Sequence, residues 1–261
     1  MELEFFKYHG AGNDFIILDN RTNAFPKKNR KEVVSTLCKR HFGIGSDGLI
    51  LIQEDDDFDF YMEFYNPDGS QSFCGNGSRC AVMFAFHMGM VGKDCTFNSI
   101  HGRNTARVVN ENAIELSMFD VSNMELTEEY HFIDTGSPHY NLYVENIDNV
   151  DLLPLARSIR YNDRFAQVGT NVNIIDVISD ADIRVRTYER GVENETLACG
   201  TGVTACAISQ LLKNKKESGV INVLTKGGNL SVEVGEVKSS QARDIKLTGP
   251  AKFVFKGEVN V

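Results

Sequence analysis

A four-residue pattern, Cys-Gly-x-Gly, occurs twice in this chain of 261 residues, at Cys74–Gly77 and at Cys199–Gly202. Each copy follows a stretch rich in aromatic and β-branched residues that is typical of a strand, Asp59–Tyr65 and Asp182–Tyr188. Each copy also precedes an apolar stretch with helical periodicity. The duplication therefore predicts two similar halves, each of which presents one cysteine where a strand leads into a helix.

The stretches that follow the two patterns predict helices over 78–89 and 203–216. Because Ala81–Phe86 is apolar nearly all round, we expect the first helix to be buried on every side. Short strands on both sides in sequence could surround it. The predicted fold class is a mixed α/β fold, with a barrel-like sheet wrapped around a central helix in each of two pseudo-symmetric halves.

The rest of the chain predicts mainly short strands separated by turns. The polar, unpatterned segment Asp120–Glu129 is interpreted as a linker. Further helices are predicted over 31–40 and from Asp151. The other predicted strands are 3–8, 15–18, 49–52, 96–100, 105–109, 113–118, 130–134, 140–144, 220–224, 230–234 and 252–256, with one more entered from 169–173.

A cysteine at the start of a helix lies beside unpaired backbone N–H groups and the positive end of the helix dipole. Such positions can lower a cysteine pKa from about 8.5 to roughly 3.5 to 7.5. A lone cysteine is more often a small buried hydrophobe. Two in matched contexts favour a chemical role for Cys74 and Cys199, whereas Cys38, Cys80 and Cys206 are interpreted as core residues.

Several chemistries remain open for two such thiols. A redox pair usually has the C-x-x-C spacing, which the chain lacks, and a single activated nucleophile leaves the second pattern unexplained. A zinc site is disfavoured because the cysteines lack the close pairs of zinc knuckles. The acid and base interpretation uses both thiols: one removes a proton from carbon and the other delivers a proton to the opposite face. This chemistry needs neither cofactor nor metal.

Composition excludes some partners. The net charge of −9 disfavours nucleic acid, and no apolar run is long enough to span a membrane. Six cysteines without a recognisable secretion signal indicate a reducing compartment. We therefore expect a soluble, cytoplasmic protein. The pattern Gly43–Gly45 precedes a predicted strand instead of a helix, so it does not indicate a dinucleotide site.

Several stretches resemble the signature stretches of the diaminopimelate epimerase family and fall in its order. They are HGAGNDF at 9–15, FYNPDGS at 64–70 leading to CGNGSRC at 74–80, TGSPH at 135–139, GTNVN at 169–173, and ERG at 189–191 leading to ETLACGTG at 195–202. The resemblance implies a cofactor-independent epimerase that interconverts LL- and meso-2,6-diaminopimelate in lysine and peptidoglycan precursor synthesis. It also implies a homodimer, an active site between the two domains, and domain bounds of 1–118 with 249–261 and of 119–248.

The family's functional residues carry over position by position. The resemblance implies that Cys74 and Cys199 are base and acid, and that His139 and Glu189 adjust their ionisation. The residues that would hold the reacting carboxylate are Gly75, Asn76, Gly200 and Thr201. The residues that would bind the rest of the substrate are Asn13, Asn66, Asn171, Glu189 and Arg190.

The chain departs from the family pattern at two positions. Some members carry a substrate-contacting glutamine where this chain has Gly48, and an asparagine where it has Ser137. The first change bears on recognition of the distal end of the substrate. The alternatives are a cofactor-independent racemase of histidine or of a proline derivative on the same scaffold, and a binding protein without catalysis, which would not need both thiols.

Overall fold

The computed structural model describes residues 2–261, so Met1, at the start of the first predicted domain, lies outside the described residues. The helices are α1 (Arg30–Cys38), α2 (Gly75–His87), α3 (Leu152–Arg160) and α4 (Gly200–Lys213). The strands are β1 (Glu2–Gly10), β2 (Asn13–Asp19), β3 (Gly48–Gln53), β4 (Tyr61–Tyr65), β5 (Asp94–Ser99), β6 (Gly102–Asn110), β7 (Ala113–Ser117), β8 (Met124–Leu126), β9 (His131–Asp134), β10 (Pro138–Tyr143), β11 (Asn171–Val177), β12 (Asp182–Glu189), β13 (Asn194–Thr196), β14 (Gly219–Thr225), β15 (Gly228–Lys238), β16 (Gln241–Pro250) and β17 (Lys252–Asn260).

The chain divides into two compact units. The first runs to Leu116 and takes in the last segment, Gly249–Val261, and the second is Ser117–Thr248. In the first unit the strands pair in the order β17, β1, β2, β3, β4, β5, β6, β7. The pairs β2–β3 and β4–β5 are parallel and the others are antiparallel. Helices α1 and α2 make the crossover connections that these two parallel pairs require.

The second unit repeats this plan. Its strands pair in the order β8, β9, β10, β11, β12, β14, β15, β16, and only β10–β11 and β12–β14 are parallel. Here α3 and α4 make the crossovers, and the short β13 pairs with the end of β12. Strand β17 takes the place in the first unit that β8 takes in the second. The repeat predicted from two cysteine patterns therefore extends over the whole topology.

One helix lies at the centre of the strands of each unit. Helix α2 packs against β1, β2, β3, β4, β6 and β17, and α4 packs against β9, β10, β11, β12, β14 and β15. A helix can contact so many strands only if the sheet curves around it. Residues Cys80–Ala85 are fully buried, as the all-round apolar pattern predicts. The predicted mixed α/β fold class, a curved sheet around a central helix in each repeated half, is confirmed.

Both central helices begin earlier than the sequence pattern predicted. They start at Gly75 and Gly200, with the cysteines as N-caps, instead of at 78 and 203. Glycine is a weak helix former, so the helical periodicity of the sequence becomes visible only after the second glycine of each pattern. The cysteines therefore lie directly at the helix starts.

The segment Asp120–Glu129, which was interpreted as a linker, lies within the second unit. This segment contains β8, and Val121 pairs with Ala242. Strands β8 and β13 have three residues each, too few to show an alternating pattern. Strand β16 was also not predicted, because Asp244 has φ 52° and interrupts the alternation of buried and exposed residues. Among residues 2–261, no helix is long and apolar enough to cross a membrane.

Candidate functional site

Cys74 is the N-cap of α2, in the first unit. Its backbone is extended, with φ −133° and ψ 111°, and its sulfur accepts a hydrogen bond from the Gly77 N–H at 3.4 Å. Its carbonyl accepts from the Ser78 N–H at 2.8 Å and so begins the helix. The sulfur therefore lies at the positive end of the helix dipole, with a backbone donor directed at it. Both features favour the thiolate over the thiol.

A chain of side-chain hydrogen bonds holds the residues beside Cys74. Asn76 donates to the Oδ1 atom of Asn13 at 2.8 Å, and Asn13 donates to Asp47 at 2.8 Å. On the other side, the Arg79 guanidinium donates to the Oδ1 atom of Asn76 at 2.7 Å. Arg79 is fully buried. Burial lowers the pKa of Arg79, and the nearby Cys80 and Cys74 thiols act in the opposite direction.

Arg79 and Asp47 were not predicted as site residues. Arg79 could have been predicted from its position, because a charged residue at the start of a helix that is buried on every side needs a polar partner. Asn66, which was predicted, lies in a separate turn, where it donates to the Ser70 hydroxyl at 3.0 Å and accepts from the Ser72 hydroxyl at 3.1 Å.

Cys199 is the N-cap of α4, in the second unit, with φ −117° and ψ 114°. Its side chain is less accessible than that of Cys74, and the residue is 8% exposed. The Cys199 sulfur lies 3.4 Å from the hydroxyl oxygen of Thr201. Its carbonyl accepts the Val203 N–H at 2.9 Å. The two cysteines thus occupy equivalent positions in the two repeats, with different hydrogen-bond partners.

His139 is fully buried beside Thr201. Its Nε2 atom lies 2.9 Å from the Thr201 hydroxyl, and its Nδ1 atom lies 3.1 Å from the side-chain nitrogen of Asn173. Burial, aided by the positive charge of Arg190, lowers the pKa of His139 to about 3. The imidazole is therefore neutral near pH 7, and it acts on Thr201 as a hydrogen-bonding group without charge.

Asn171 connects several predicted residues. Its Oδ1 atom accepts the backbone N–H of Arg190 at 2.8 Å, and its side-chain nitrogen donates to the Ser137 hydroxyl at 2.8 Å. The Arg190 guanidinium donates to the Val168 carbonyl at 2.8 Å, and within residues 2–261 it forms no ion pair with a carboxylate. Its remaining N–H donors suit a carboxylate of a ligand, which Arg can bind in bidentate fashion.

Glu189 is the last residue of β12 and is half-buried. Burial raises the pKa of Glu189, and hydrogen bonding to the Cys199 thiol acts in the opposite direction. A half-buried carboxyl beside a thiol is typical of positions whose ionisation is adjusted by their surroundings.

The close contact between α4 and the sheet depends on Gly202. A Cβ atom at this position would lie 2.8 Å from the Oδ1 atom of Asn173 and 3.2 Å from the Cε1 atom of His139. The absence of a side chain therefore allows the start of α4 to approach the polar residues of β10 and β11. This observation explains the second glycine of the Cys-Gly-x-Gly pattern in the second unit.

The predicted site residues other than Asn66 fall into one cluster in each unit. The Cys74 cluster contains Cys74, Gly75, Asn76 and Asn13. The Cys199 cluster contains Cys199, Gly200, Thr201, His139, Asn171, Glu189 and Arg190. Asn173 belongs to the GTNVN stretch at 169–173 but was not predicted as a site residue. Because it lies two residues after Asn171, both side chains are on one face of β11.

The fold defines a class that includes solved structures of distant sequence. A phenazine biosynthesis protein of the PhzF family from Bacillus anthracis is similar over 100% of both chains, with a TM-score of 0.75 and 15% identity. A probable proline racemase from Agrobacterium radiobacter is similar over 99% of this chain and 93% of that chain, with a TM-score of 0.72 and 16% identity. These two likenesses concern the fold alone.

Within this class, the chain belongs to the diaminopimelate epimerase family. The sequence model described as Diaminopimelate epimerase matches residues 5–124 and 131–254. The diaminopimelate epimerase of Flavobacterium psychrophilum is 43% identical, over 97% of this chain and 99% of the relative. Relatives with this name are isomerases, and the resemblance found in the signature stretches is confirmed.

Proposed function

We propose that the protein is an epimerase that interconverts LL- and meso-2,6-diaminopimelate by proton transfer between two thiols and the Cα atom. One observation carries the proposal: in a chain of this family, Cys74 and Cys199 each cap the central helix of one repeat. Equivalent positions in two repeats suit a reaction in which one group removes a proton and a second group of the same kind delivers one.

In this mechanism the thiolate of one cysteine removes the α-proton and becomes a thiol. The thiol of the other cysteine donates its proton to the opposite face of the same carbon and becomes a thiolate. The configuration inverts, one proton is lost and one gained, and the two cysteines exchange roles when the reaction runs backwards. The mechanism requires that both sulfurs reach one substrate carbon from opposite faces.

Negative charge develops on the α-carboxylate as the proton leaves. We propose that the substrate carboxylate lies at the two helix starts, where the backbone N–H groups of Gly75, Asn76, Gly200 and Thr201 stabilise this charge. The first N–H groups of a helix have no partner within the helix and lie at its positive end. Donors held in place before the reaction stabilise a developing anion without further reorganisation.

The rest of the substrate would bind through Asn13, Asn66, Asn171, Glu189 and Arg190. Two observations support Arg190. Its guanidinium has N–H donors besides the one that binds the Val168 carbonyl, and its backbone N–H donates to the Oδ1 atom of Asn171. The distal carboxylate of a diamino dicarboxylic acid is a suitable partner for these donors. The support for Asn13 is its bond with Asn76 at the start of α2.

Several finer statements stay predictions. The two compact units would be the two domains of the enzyme, His139 and Glu189 would adjust the ionisation of the thiols, and the reaction would need no metal or cofactor. The enzyme would act as a homodimer in the cytoplasm, within lysine and peptidoglycan precursor synthesis. Light scattering of the purified protein measures the oligomeric state directly.

The decisive experiment is proton NMR of the purified protein with LL-diaminopimelate in D2O, with a chelator present and pyridoxal phosphate absent. Deuterium entry at Cα together with formation of the meso isomer is the expected result. Histidine and proline derivatives are tested in parallel. Exchange on one of these compounds and not on diaminopimelate would show that the proposed substrate is wrong. No exchange on any of them would contradict the proposed reaction.

A further inference from the structure

A row of buried polar side chains lies between α4 and three neighbouring strands in the second unit. His139 and Asn141 of β10 are paired in register with Asn171 and Asn173 of β11, and Asn173 is paired with Thr187 of β12. All five side chains are at most 3% exposed. Because buried polar groups are costly unless they are hydrogen-bonded, the donors and acceptors of this row are strongly constrained.

Asn173 occupies the centre of the row, with its amide oxygen towards Thr187 and its amide nitrogen towards His139 and Asn141. Its Oδ1 atom accepts from the Thr187 hydroxyl at 2.7 Å, so its nitrogen faces the other way. That nitrogen donates to the Oδ1 atom of Asn141 at 2.7 Å and lies 3.1 Å from the Nδ1 atom of His139. The Asn141 amide is oriented in turn by its donation to the Ser209 hydroxyl at 2.9 Å.

With the Asn173 amide in this orientation, the protonated nitrogen of His139 follows. The Asn173 nitrogen has two N–H donors and no acceptor capacity, so the Nδ1 atom that faces it must be the unprotonated, accepting nitrogen. A neutral imidazole then carries its proton on Nε2. Burial and the charge of Arg190 keep the ring neutral, since they lower the pKa of His139 to about 3.

The protonated Nε2 atom faces the Thr201 hydroxyl at 2.9 Å, and the ring donates to that oxygen. The nitrogen of Asn171, 3.4 Å from Nε2, already donates to Ser137 and to the Pro138 carbonyl at 2.8 and 3.0 Å, so it does not need an acceptor on the ring. A hydroxyl has one proton. Since the Thr201 oxygen accepts from His139, its own proton is directed at the Cys199 sulfur, 3.4 Å away.

We propose that Asn173 is a positioning residue that fixes His139 as the Nε2–H tautomer and thereby directs the Thr201 hydroxyl proton at the Cys199 sulfur. The hydrogen bond from Thr201 stabilises the Cys199 thiolate more than the thiol. In the opposite tautomer, Nε2 would accept from Thr201 and compete with the sulfur for the same proton. The catalytic part of this inference rests on the proposed function of Cys199, whereas the tautomer itself does not.

The first test is ¹⁵N NMR of the wild-type protein with labelled histidine, because the two ring nitrogens have distinct shifts when protonated and unprotonated. Among the six histidines, the signals of His139 are those that disappear in His139→Gln. The expected spectrum near pH 7 shows a neutral ring with the proton on Nε2. A proton on Nδ1, or a doubly protonated ring, would overturn the proposal without reference to activity.

The second test is Asn173→Asp, which replaces the donor facing Nδ1 with an acceptor of the same shape. The spectrum should change to a ring protonated on Nδ1. In the deuterium-exchange assay, kcat should fall by roughly 10- to 100-fold, the size of one hydrogen bond to a charged acceptor. Because Asn171 and Arg190 keep their own bonds, KM should stay within about two-fold of wild type.

The matched control is Asn20→Asp, the same substitution at a buried asparagine of the first unit, outside the row, whose Oδ1 atom accepts the Phe25 N–H at 2.8 Å. It should lower stability but leave both the tautomer and kcat unchanged. Loss of kcat in Asn20→Asp equal to that in Asn173→Asp would show that lost stability alone lowers kcat, and would contradict the proposal. If Asn173→Asp does not fold, the wild-type ¹⁵N spectrum still tests the proposed tautomer of His139. A wild type with the expected tautomer but without exchange would contradict the proposed function and not the tautomer.

Discussion

The side-chain nitrogen of Asn76 donates a hydrogen bond of 2.8 Å to the Oδ1 atom of Asn13. This bond connects the start of β2 to the first turn of α2, which Cys74 caps. The two asparagines are far apart in sequence, and each has a second partner, Asp47 for Asn13 and Arg79 for Asn76. The bond therefore couples the orientation of a predicted substrate-binding residue to the helix start that presents the thiol.

The first prediction concerns Asn13→Ala. The variant removes the acceptor of the buried Asn76 amide, which costs about 1 to 3 kcal/mol of unfolding free energy. It also removes the donor to Asp47, a partly exposed carboxylate that keeps its ion pair with Arg40. We also expect kcat/KM to fall by roughly ten-fold or more. Urea denaturation and the exchange assay measure the two effects. The control is Asn112→Ala in an exposed turn, and equal behaviour of both variants would contradict the role of Asn13.

The second prediction concerns the two helix-capping cysteines. Cys74→Ala and Cys199→Ala should each lower the rate of epimerisation by roughly 100- to 10,000-fold, because each removes one of two proton-transfer groups. Both should fold, as judged by circular dichroism. Cys38→Ala is the control, since Cys38 is a buried core residue of the first unit, and it should lose stability but retain activity. Substantial turnover by Cys74→Ala or by Cys199→Ala would contradict the two-thiol mechanism.

The third prediction is the order of alkylation by iodoacetamide near pH 7. Burial raises the pKa of Cys38 and of Cys95 to about 12, and also raises the pKa of Cys80 and of Cys206 well above the ordinary value. These four thiols should therefore stay unmodified in the folded protein, because the thiolate is the reactive form.

Cys74 is the more accessible of the two remaining cysteines and should react first, with loss of activity at the same rate. Mass spectrometry of digested protein, sampled over time, identifies the modified residue. The same experiment in guanidinium chloride should modify all six cysteines at similar rates. Faster modification of one of the four buried thiols in the native protein would contradict the prediction.

The sequence predicted those features that depend on local pattern. The strand before each Cys-Gly-x-Gly pattern, the apolar central helices and the place of both cysteines follow from residues close together in the chain, and the structure confirms them. The strands β8 and β13 were missed because three residues carry no periodicity. Their pairing partners, which come from elsewhere in the chain, stabilise them instead.

The residues that support the candidate site were harder to predict. Arg79 contacts Asn76 within α2, three residues before it. Asp47 and Asn173 each contact a predicted site residue of a different element through a side-chain hydrogen bond. Such partners are determined by strand register and by helix packing, which a local pattern does not specify. The signature stretches named the residues next to the thiols, and the tertiary structure was needed to find the residues that orient them.

The fourth prediction concerns Gly48, where some family members carry glutamine. A Cβ atom here would lie 2.5 Å from Cε2 and 2.7 Å from Cζ of Phe64, and 3.0 Å from the Tyr65 carbonyl. Phe64 is buried and packs edge-on against Phe15. Gly48→Gln should therefore destabilise the protein by about 1 to 3 kcal/mol, the usual cost of overpacking.

A double variant separates steric conflict from other causes. If the Phe64 ring is the obstacle, Gly48→Gln combined with Phe64→Val should be more stable than the sum of the two single variants predicts, because neighbouring substitutions are not additive. Urea denaturation of the four proteins gives the interaction energy. Strict additivity would show that the ring does not exclude the glutamine.

The fifth prediction concerns the pH dependence of stability that His139 causes. Burial, aided by Arg190, lowers its pKa to about 3 in the folded protein, against about 6.5 in an unfolded chain. Between these two values the unfolded chain binds a proton that the folded protein does not. Stability therefore rises with pH across this window and is lost as the pH falls, with a contribution from His139 of at most about 1.4 kcal/mol per pH unit.

His139→Gln removes this titration, so its unfolding free energy should fall less steeply than that of the wild type as the pH decreases from 6.5. The variant also loses native hydrogen bonds, which lowers its stability at every pH, and the slope is therefore the informative quantity. His41→Asn, at an exposed position with φ 72° that asparagine tolerates, should keep the wild-type slope. Urea denaturation at several pH values measures all three slopes. Equal slopes for wild type and His139→Gln would show that the buried imidazole takes up a proton in the folded protein as readily as in the unfolded chain.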